Sequence, residues 1–203
     1  VVVACSCSAV TVLLPLLSTL TAAVLPVAIV VAFVPDEEVG LLVAKALDLN
    51  LFDVDFAWTF ACCELCQIVY ANFNAAAAGI RFTGVTAHPM SSKGVLVNPL
   101  LMATDFISHF DRLQTPEHTA GRDGYVWLNG LQAVQSYAVL NASIRDFDLA
   151  SFEQRKQQIA DVAEKIAAQY PTAKVEFNIS DTYSNISNAI GEDRRAVDLM
   201  FEA

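Results

Sequence analysis

The apolar residues that follow position 75 change from the two-residue period of a strand to the 3.6-residue period of a helix and back. The first predicted helix covers 100–110, because Asn98 and Pro99 are preferred types for an N-cap and a first helical residue. The second begins after Asp148. Alternation predicts strands at 76–83, 125–128, 137–147 and 174–179. The order β-α-β-β-α-β predicts a ferredoxin-like α+β domain.

The first 35 residues carry no charged side chain. Residues 9–24 have the composition of a buried helix, and residues 27–34 form the continuous β-branched run of a strand buried on both faces. A membrane or secretory segment is the alternative. Pro15 and Pro26 weaken that alternative, and so does the absence of Lys or Arg before the run.

Two further strand-like runs, 52–59 and 67–73, precede the α+β domain. We therefore expect part of a larger α/β domain, an inserted domain, and a return to the larger domain, over residues 1–72, 73–183 and 184–203. The chain starts without Met and stops in a helix-like run. We expect it to be a piece of a longer protein.

The composition restricts the class of partner. Of the 203 residues, 55% are hydrophobic and 17% are charged, and the formal net charge is −10. A chain this hydrophobic is not intrinsically disordered. Nucleic acids are bound by basic surfaces, so we expect no nucleic-acid partner. We do not expect a membrane partner either.

Candidate chemistry first appears in the run Pro35-Asp36-Glu37-Glu38. Three carboxylates directly follow a predicted buried strand, at the edge where open α/β sheets bind ligands. One glutamate could bind a cation while its neighbour moves a proton. A solvated acidic loop is the alternative interpretation.

Five blocks of sequence resemble peptidase T, the tripeptide aminopeptidases of the dinuclear-zinc aminopeptidase and carboxypeptidase superfamily. The blocks keep the order and spacing of that family. They are VAFVPDEEVG (31–40), FDVDFAWT (52–59), NFNAA (72–76), TAHPMSSKGVLVNP (86–99) and IRDFD (144–148).

The resemblance implies an α/β zinc-peptidase catalytic domain, only partly present, with an inserted α+β lid domain. Glu37 matches the family's general base and Glu38 a zinc ligand. His88 matches a lid histidine that helps to stabilise the tetrahedral intermediate, across a dimer. Arg145 matches the lid arginine that grips the substrate's terminal carboxylate. The implied partners are short peptides, tripeptides above all, and a second copy of the chain; the implied location is cytoplasmic.

The metal ligands depart from the family pattern. Cys5 stands where the family has the Asp that bridges two zinc ions, and Ala61 replaces another ligand Asp in the run Thr59-Phe60-Ala61. Two further ligand segments fall outside residues 1–203. Only Glu38 remains of five ligand positions, and a zinc ion needs three or more protein ligands. We expect this chain alone to be inactive. A non-catalytic lid and dimerisation module that binds peptide carboxylates is the alternative.

The five cysteines, at 5, 7, 62, 63 and 66, fall near two of the altered ligand positions. Buried inert thiols, a site for a soft metal, and disulfides or reactive thiols are all compatible with this spacing.

We predict that the purified 203-residue chain binds no pair of zinc ions, because most of the ligand set is missing. Elemental analysis of the metal-to-protein ratio tests this. Two zinc ions per chain would contradict the prediction. A single zinc ion that is lost on alkylation of the thiols would instead indicate a cysteine site.

Overall fold

The computed structural model describes residues 2–5, 46–48, 50, 53–60 and 67–202, with the backbone alone for 2–5 and Phe60. The chain divides into two compact units. One is Asn72–Asn185, and the other joins the described residues before Asn72 to those that follow Asn185. The predicted helix at 9–24 and strand at 27–34 lie outside the described residues.

The Asn72–Asn185 unit is a four-stranded antiparallel sheet with two helices on one face. Its strands are β4 (Asn74–Thr83), β5 (Tyr125–Ala133), β6 (Tyr137–Asp146) and β7 (Lys174–Tyr183). Its helices are α1 (Pro99–Ile107) and α2 (Leu149–Gln169). The strand order is β5-β6-β4-β7. The chain order and this spatial order confirm the ferredoxin-like α+β domain predicted from the sequence.

The core of this unit lies between the sheet and the helices. Even-numbered residues of β4 face the helices, so Ile80 and Phe82 are fully buried, and Phe82 packs edge-on against Phe106 of α1. Helix α2 places apolar residues on the same core at helical spacing; these are Phe152, Ile159, Val162 and Ile166. The opposite face of the sheet carries no helix among the described residues.

Both helices begin at the predicted caps. Asn98 Oδ1 accepts a hydrogen bond from the backbone N–H of Leu100 at 3.0 Å. Asp148 Oδ2 accepts one from the backbone N–H of Ser151 at 2.7 Å. Each side chain satisfies an N–H group that has no partner inside the helix.

Several predicted boundaries were wrong. Helix α1 ends at Ile107 rather than 110, and Ser108 Oγ donates to the Asp105 carbonyl at 2.6 Å where the helix stops. Strands β5 and β7 continue to Ala133 and Tyr183, well past the alternating segments. Both are edge strands whose outer residues are polar or exposed, so ladder hydrogen bonds extend them where the apolar pattern has ended.

Two buried asparagines join the segments that enter and leave this unit. Asn74 Oδ1 accepts from the backbone N–H of Asn185 at 2.9 Å, and Asn185 Oδ1 accepts from the backbone N–H of Asn72 at 3.0 Å. Both side chains also donate to the Phe147 carbonyl at the end of β6, at 3.2 and 3.1 Å. Asn74 and Asn185 are 0% and 2% exposed. They therefore fix the ends of β4, β6 and β7 to one another.

The described residues of the other unit contain a three-stranded sheet. Strand β1 (Val2–Cys5) lies between β2 (Ala57–Phe60), which is parallel to it, and β3 (Ile68–Val69), which is antiparallel. The predicted strand at 52–59 is thus confined to its second half and extends to Phe60.

Two short helices, α3 (Ile186–Ile190) and α4 (Arg195–Glu202), belong to this second unit. Trp58 Nε1 donates to the Ala196 carbonyl at 2.9 Å. A small apolar cluster joins these helices to the strands; it contains Phe56, Ile68, Ile190, Ala196, Val197 and Met200. No helix among the described residues has the length and apolar character needed to cross a membrane.

Replacing Asp148 with alanine should lower the melting temperature by about 2–4 °C, the usual effect of a lost N-cap in a chain of this size. The hydrogen bond from the Ser151 N–H lowers the pKa of Asp148 below its ordinary value of 3.8. The carboxylate therefore stabilises the fold fully above pH 3.8, and this contribution is lost as pH falls through the lower folded pKa. Glu164→Ala, at an exposed position in the middle of α2, is the control. Equal melting temperatures for the two variants near pH 7 would contradict the capping role.

Candidate functional site

Arg145 lies near the end of β6, on the face of the sheet that carries no described helix. In the register of the sheet it stands between Tyr125 of β5 and Ala75 of β4. Its Nη1 group donates to the carbonyls of Ile144 at 2.8 Å and Ala76 at 3.3 Å. The guanidinium carbon is 5.6 Å from the centroid of the Tyr183 ring. These contacts hold one edge of the guanidinium against the sheet.

The remaining donors of Arg145, at Nε and Nη2, have no hydrogen-bond partner among the described residues. The side chain is half-buried. A guanidinium with one anchored nitrogen and two unpaired donor groups can form a paired hydrogen bond with a carboxylate. This is the chemistry that the resemblance implies for this position.

Arg145 forms no ion pair with the adjacent Asp146. Successive residues of a strand face opposite sides of the sheet, so Asp146 faces the helices. Its Oδ2 accepts from Arg155 Nε of α2 at 2.8 Å, and the Asp146 carboxylate is buried. A Cβ atom at Gly124 would lie 1.8 Å from that Oδ2, so only glycine fits there.

His88 lies in an exposed turn after β4. Its Nδ1 accepts from the backbone N–H of Met90 at 3.3 Å, which makes His88 the N-cap of a short 3₁₀ helix, Pro89–Ser91. With Nδ1 as acceptor, the proton of the neutral ring is on Nε2. The ring therefore offers an N–H donor away from the backbone, which suits the stabilisation of a developing oxyanion.

The structure does not bring His88 and Arg145 together in one chain. Arg145 is opposite Ala75, near the start of β4, whereas His88 follows the last residue of that strand, Thr83. The strand separates Ala75 from Thr83 by about 26 Å. Gly84 N–H donates to the Ser136 carbonyl at 3.1 Å, which holds the chain that leads to His88 at this far end of the sheet.

Glu37 and Glu38 lie outside the described residues, as do Cys7, Ala61 and the cysteines at 62, 63 and 66. Cys5 is the last residue of β1 and is paired with Phe60, the last residue of β2. Because β1 and β2 are parallel, the two altered segments follow neighbouring strand ends. This is the edge at which α/β sheets bind ligands.

Cys5 and Ala61 stand at two positions where the resemblance implies a ligand aspartate, and the alanine side chain has no donor atom. Within the part of the chain that the structure describes, no three His, Cys, Asp or Glu side chains are grouped so as to hold a metal ion.

The α+β unit Asn72–Asn185, which lies in the sequence between the two parts of the second unit, has the fold expected of the inserted lid domain. Residues 70–174 match the model of the M20 peptidase dimerisation domain, and the chain belongs to that family.

The relatives agree with the resemblance to peptidase T. A peptidase T-like protein of Yersinia pestis is 58% identical over 97% of this chain and 48% of its own length. Two solved structures share the fold: an aminopeptidase PepT from Bacillus cereus (TM-score 0.65, 18% identity) and a tripeptidase from Staphylococcus aureus (TM-score 0.61, 20% identity). Both matches cover 80% of this chain. They cover 43% of the Bacillus cereus chain and 46% of the Staphylococcus aureus chain. The chain thus spans about half the length of the curated relatives that it matches.

Proposed function

We propose that this chain is the substrate-gripping part of a tripeptide aminopeptidase, and that Arg145 binds the terminal carboxylate of the peptide. The proposal rests on the hydrogen bonding of Arg145. Its Nη1 donates to two backbone carbonyls, while Nε and Nη2 have no partner among the described residues. The names of the similar proteins, a peptidase T-like protein, an aminopeptidase and a tripeptidase, support the substrate class.

A carboxylate suits this position better than a neutral group does. A hydrogen bond between charged partners is worth about 1.5–3 kcal/mol, and less where water reaches it. Because the sheet already fixes Nη1, little side-chain freedom is lost when the peptide binds. Arg145 would therefore distinguish a free peptide C-terminus from an amidated or extended one.

One tripeptide cannot contact both candidate lid residues of a single chain. Three extended residues span about 10 Å, whereas β4 alone separates the two ends of the sheet by about 26 Å. We therefore propose that His88 serves the site of a second copy, in which its Nε2–H would donate to the oxyanion. A peptide held by Arg145 of one copy would meet His88 of the other.

The surface next to His88 suits a second copy. It is formed by exposed apolar side chains of the turn and of helix α1: Met90, Val95, Leu96, Leu100 and Leu101. Met90 is 93% exposed and Leu101 56%. Five exposed apolar side chains within one short segment favour an interaction site, and membership of a dimerisation-domain family favours a second copy of the chain as the partner. We call these five residues the apolar turn surface.

Zinc, in a longer parent that restored the ligands, would supply the activated water. Glu37 would then be the general base and Glu38 a metal ligand, as the resemblance implies. The chain as given lacks that donor set, so it should bind peptide without hydrolysing it. This outcome is also what a non-catalytic lid module would give, and Cys5 and Ala61 favour that second candidate. The proposal includes a cytoplasmic location, which is supported by the resemblance alone.

Arg145→Ala should weaken the binding of trialanine to the 203-residue chain by roughly ten-fold, because the charged hydrogen bonds are lost. Trialanine amide, which has no carboxylate, should bind weakly to both proteins. Arg81→Ala is the matched control, since Arg81 lies on the same face of the sheet at its other end and stacks on Tyr137 at 4.4 Å. Titrations followed by NMR measure the affinities, which we expect to be millimolar.

The proposal fails if Arg145→Ala and Arg81→Ala bind trialanine equally well. It also fails if the wild-type chain does not distinguish the free peptide from its amide.

A further inference from the structure

A break in the register of β7 determines which residue of that strand stands beside Arg145. From Thr83 to Ala76 the pairing of β4 with β7 is regular and reaches Asp181 opposite Ala76. The next pair is Ala75 with Tyr183, so Thr182 is a bulge residue that has no partner on β4. An unbroken ladder would place Thr182 opposite Ala75 and would turn Tyr183 to the helix-covered face. The bulge instead places Tyr183 on the open face.

Four residues then form one row across the open face: Tyr125, Arg145, Ala75 and Tyr183. Ala75 has no exposed surface, because the row covers it. Its small side chain lets the Arg145 side chain extend over β4, where Nη1 reaches the Ala76 carbonyl. The guanidinium thereby comes within 5.6 Å of the centre of the Tyr183 ring.

The other tyrosine of the row has a different contact. Tyr125 packs edge-on against Phe73, with 5.7 Å between the ring centres. Phe73 in turn packs against Phe147 at 4.4 Å. Tyr183 has 39% of its surface exposed. It is the aromatic residue of the row over which the guanidinium carbon lies.

We propose that Tyr183 is a positioning residue for the carboxylate grip: the bulge in β7 delivers its ring to Arg145, and the ring holds the guanidinium in the orientation that leaves two donor groups for the peptide. This inference rests on the proposed function. A cation that lies over an aromatic face is attracted to it by the ring quadrupole. Bulges commonly redirect a side chain next to a functional site.

Tyr183→Leu and Tyr183→Phe separate the ring from the hydroxyl. Phenylalanine keeps the aromatic face, so trialanine should bind as tightly as to wild type. Leucine removes the face and should weaken trialanine binding by about two- to five-fold, with no effect on trialanine amide. Tyr137→Leu is the matched control, because it removes the ring under Arg81 instead.

The NMR signal of the Arg145 Nε–H group reports on stacking without any ligand. It is assigned by its absence in Arg145→Lys. The ring-current shift of this signal should be the same in wild type and Tyr183→Phe, and should disappear in Tyr183→Leu.

Each result bears on a defined claim. If Tyr183→Leu binds trialanine as wild type does while Arg145→Ala loses binding, the inference about Tyr183 is overturned and the proposed function stands. An unchanged Nε–H signal in Tyr183→Leu also overturns it. If Arg145→Ala binds trialanine as wild type does, the proposed function itself fails and the inference fails with it.

Discussion

The register of β4 between its two neighbours determines where each candidate lid residue can act. All ten residues of β4 pair with β6, and nine pair with β7. This pairing puts Arg145 opposite the second residue of β4 and leaves His88 beyond its last residue. A strand inside a sheet is extended and cannot shorten, so the separation of the two residues is a property of the fold. A tripeptide that meets both must lie between two copies.

The same end of the sheet holds Arg145, the proposed carboxylate-binding residue, and the two points at which the chain enters and leaves the lid unit. Asn74 and Asn185 tie those points to the end of β6, two residues from Arg145. Buried amide groups must be paired to be tolerated; Asn74 Oδ1 accepts from the Asn185 backbone and Asn185 Oδ1 from the Asn72 backbone. The position of Arg145 is therefore fixed by backbone hydrogen bonds on both sides as well as by the Tyr183 ring.

The fold of the lid unit could be predicted from the sequence because its apolar periods and its caps at Asn98 and Asp148 are strong local signals. The candidate residues His88 and Arg145, and the action of His88 across a dimer, came from the resemblance, and the register of β4 supplies a physical reason for their separation. Tyr183 could not be found in advance, since alternation ended at Ile179 and a bulge leaves no apolar signature. Asp146 pairs with Arg155 of α2 because strand alternation puts Asp146 and Arg145 on opposite faces of the sheet.

The most direct test maps the backbone NMR signals that shift when trialanine is added to a Leu101→Glu variant, in which a charge on the apolar turn surface keeps the copies apart. The account predicts shifts at Ala75, Arg145 and Tyr183, and no shift in the segment 86–92 around His88. The account is contradicted if sedimentation shows the variant to be monomeric and the signals of 86–92 shift together with those of Ala75, Arg145 and Tyr183, with the same dependence on peptide concentration. Such shifts would mean that one chain brings both residues to one peptide.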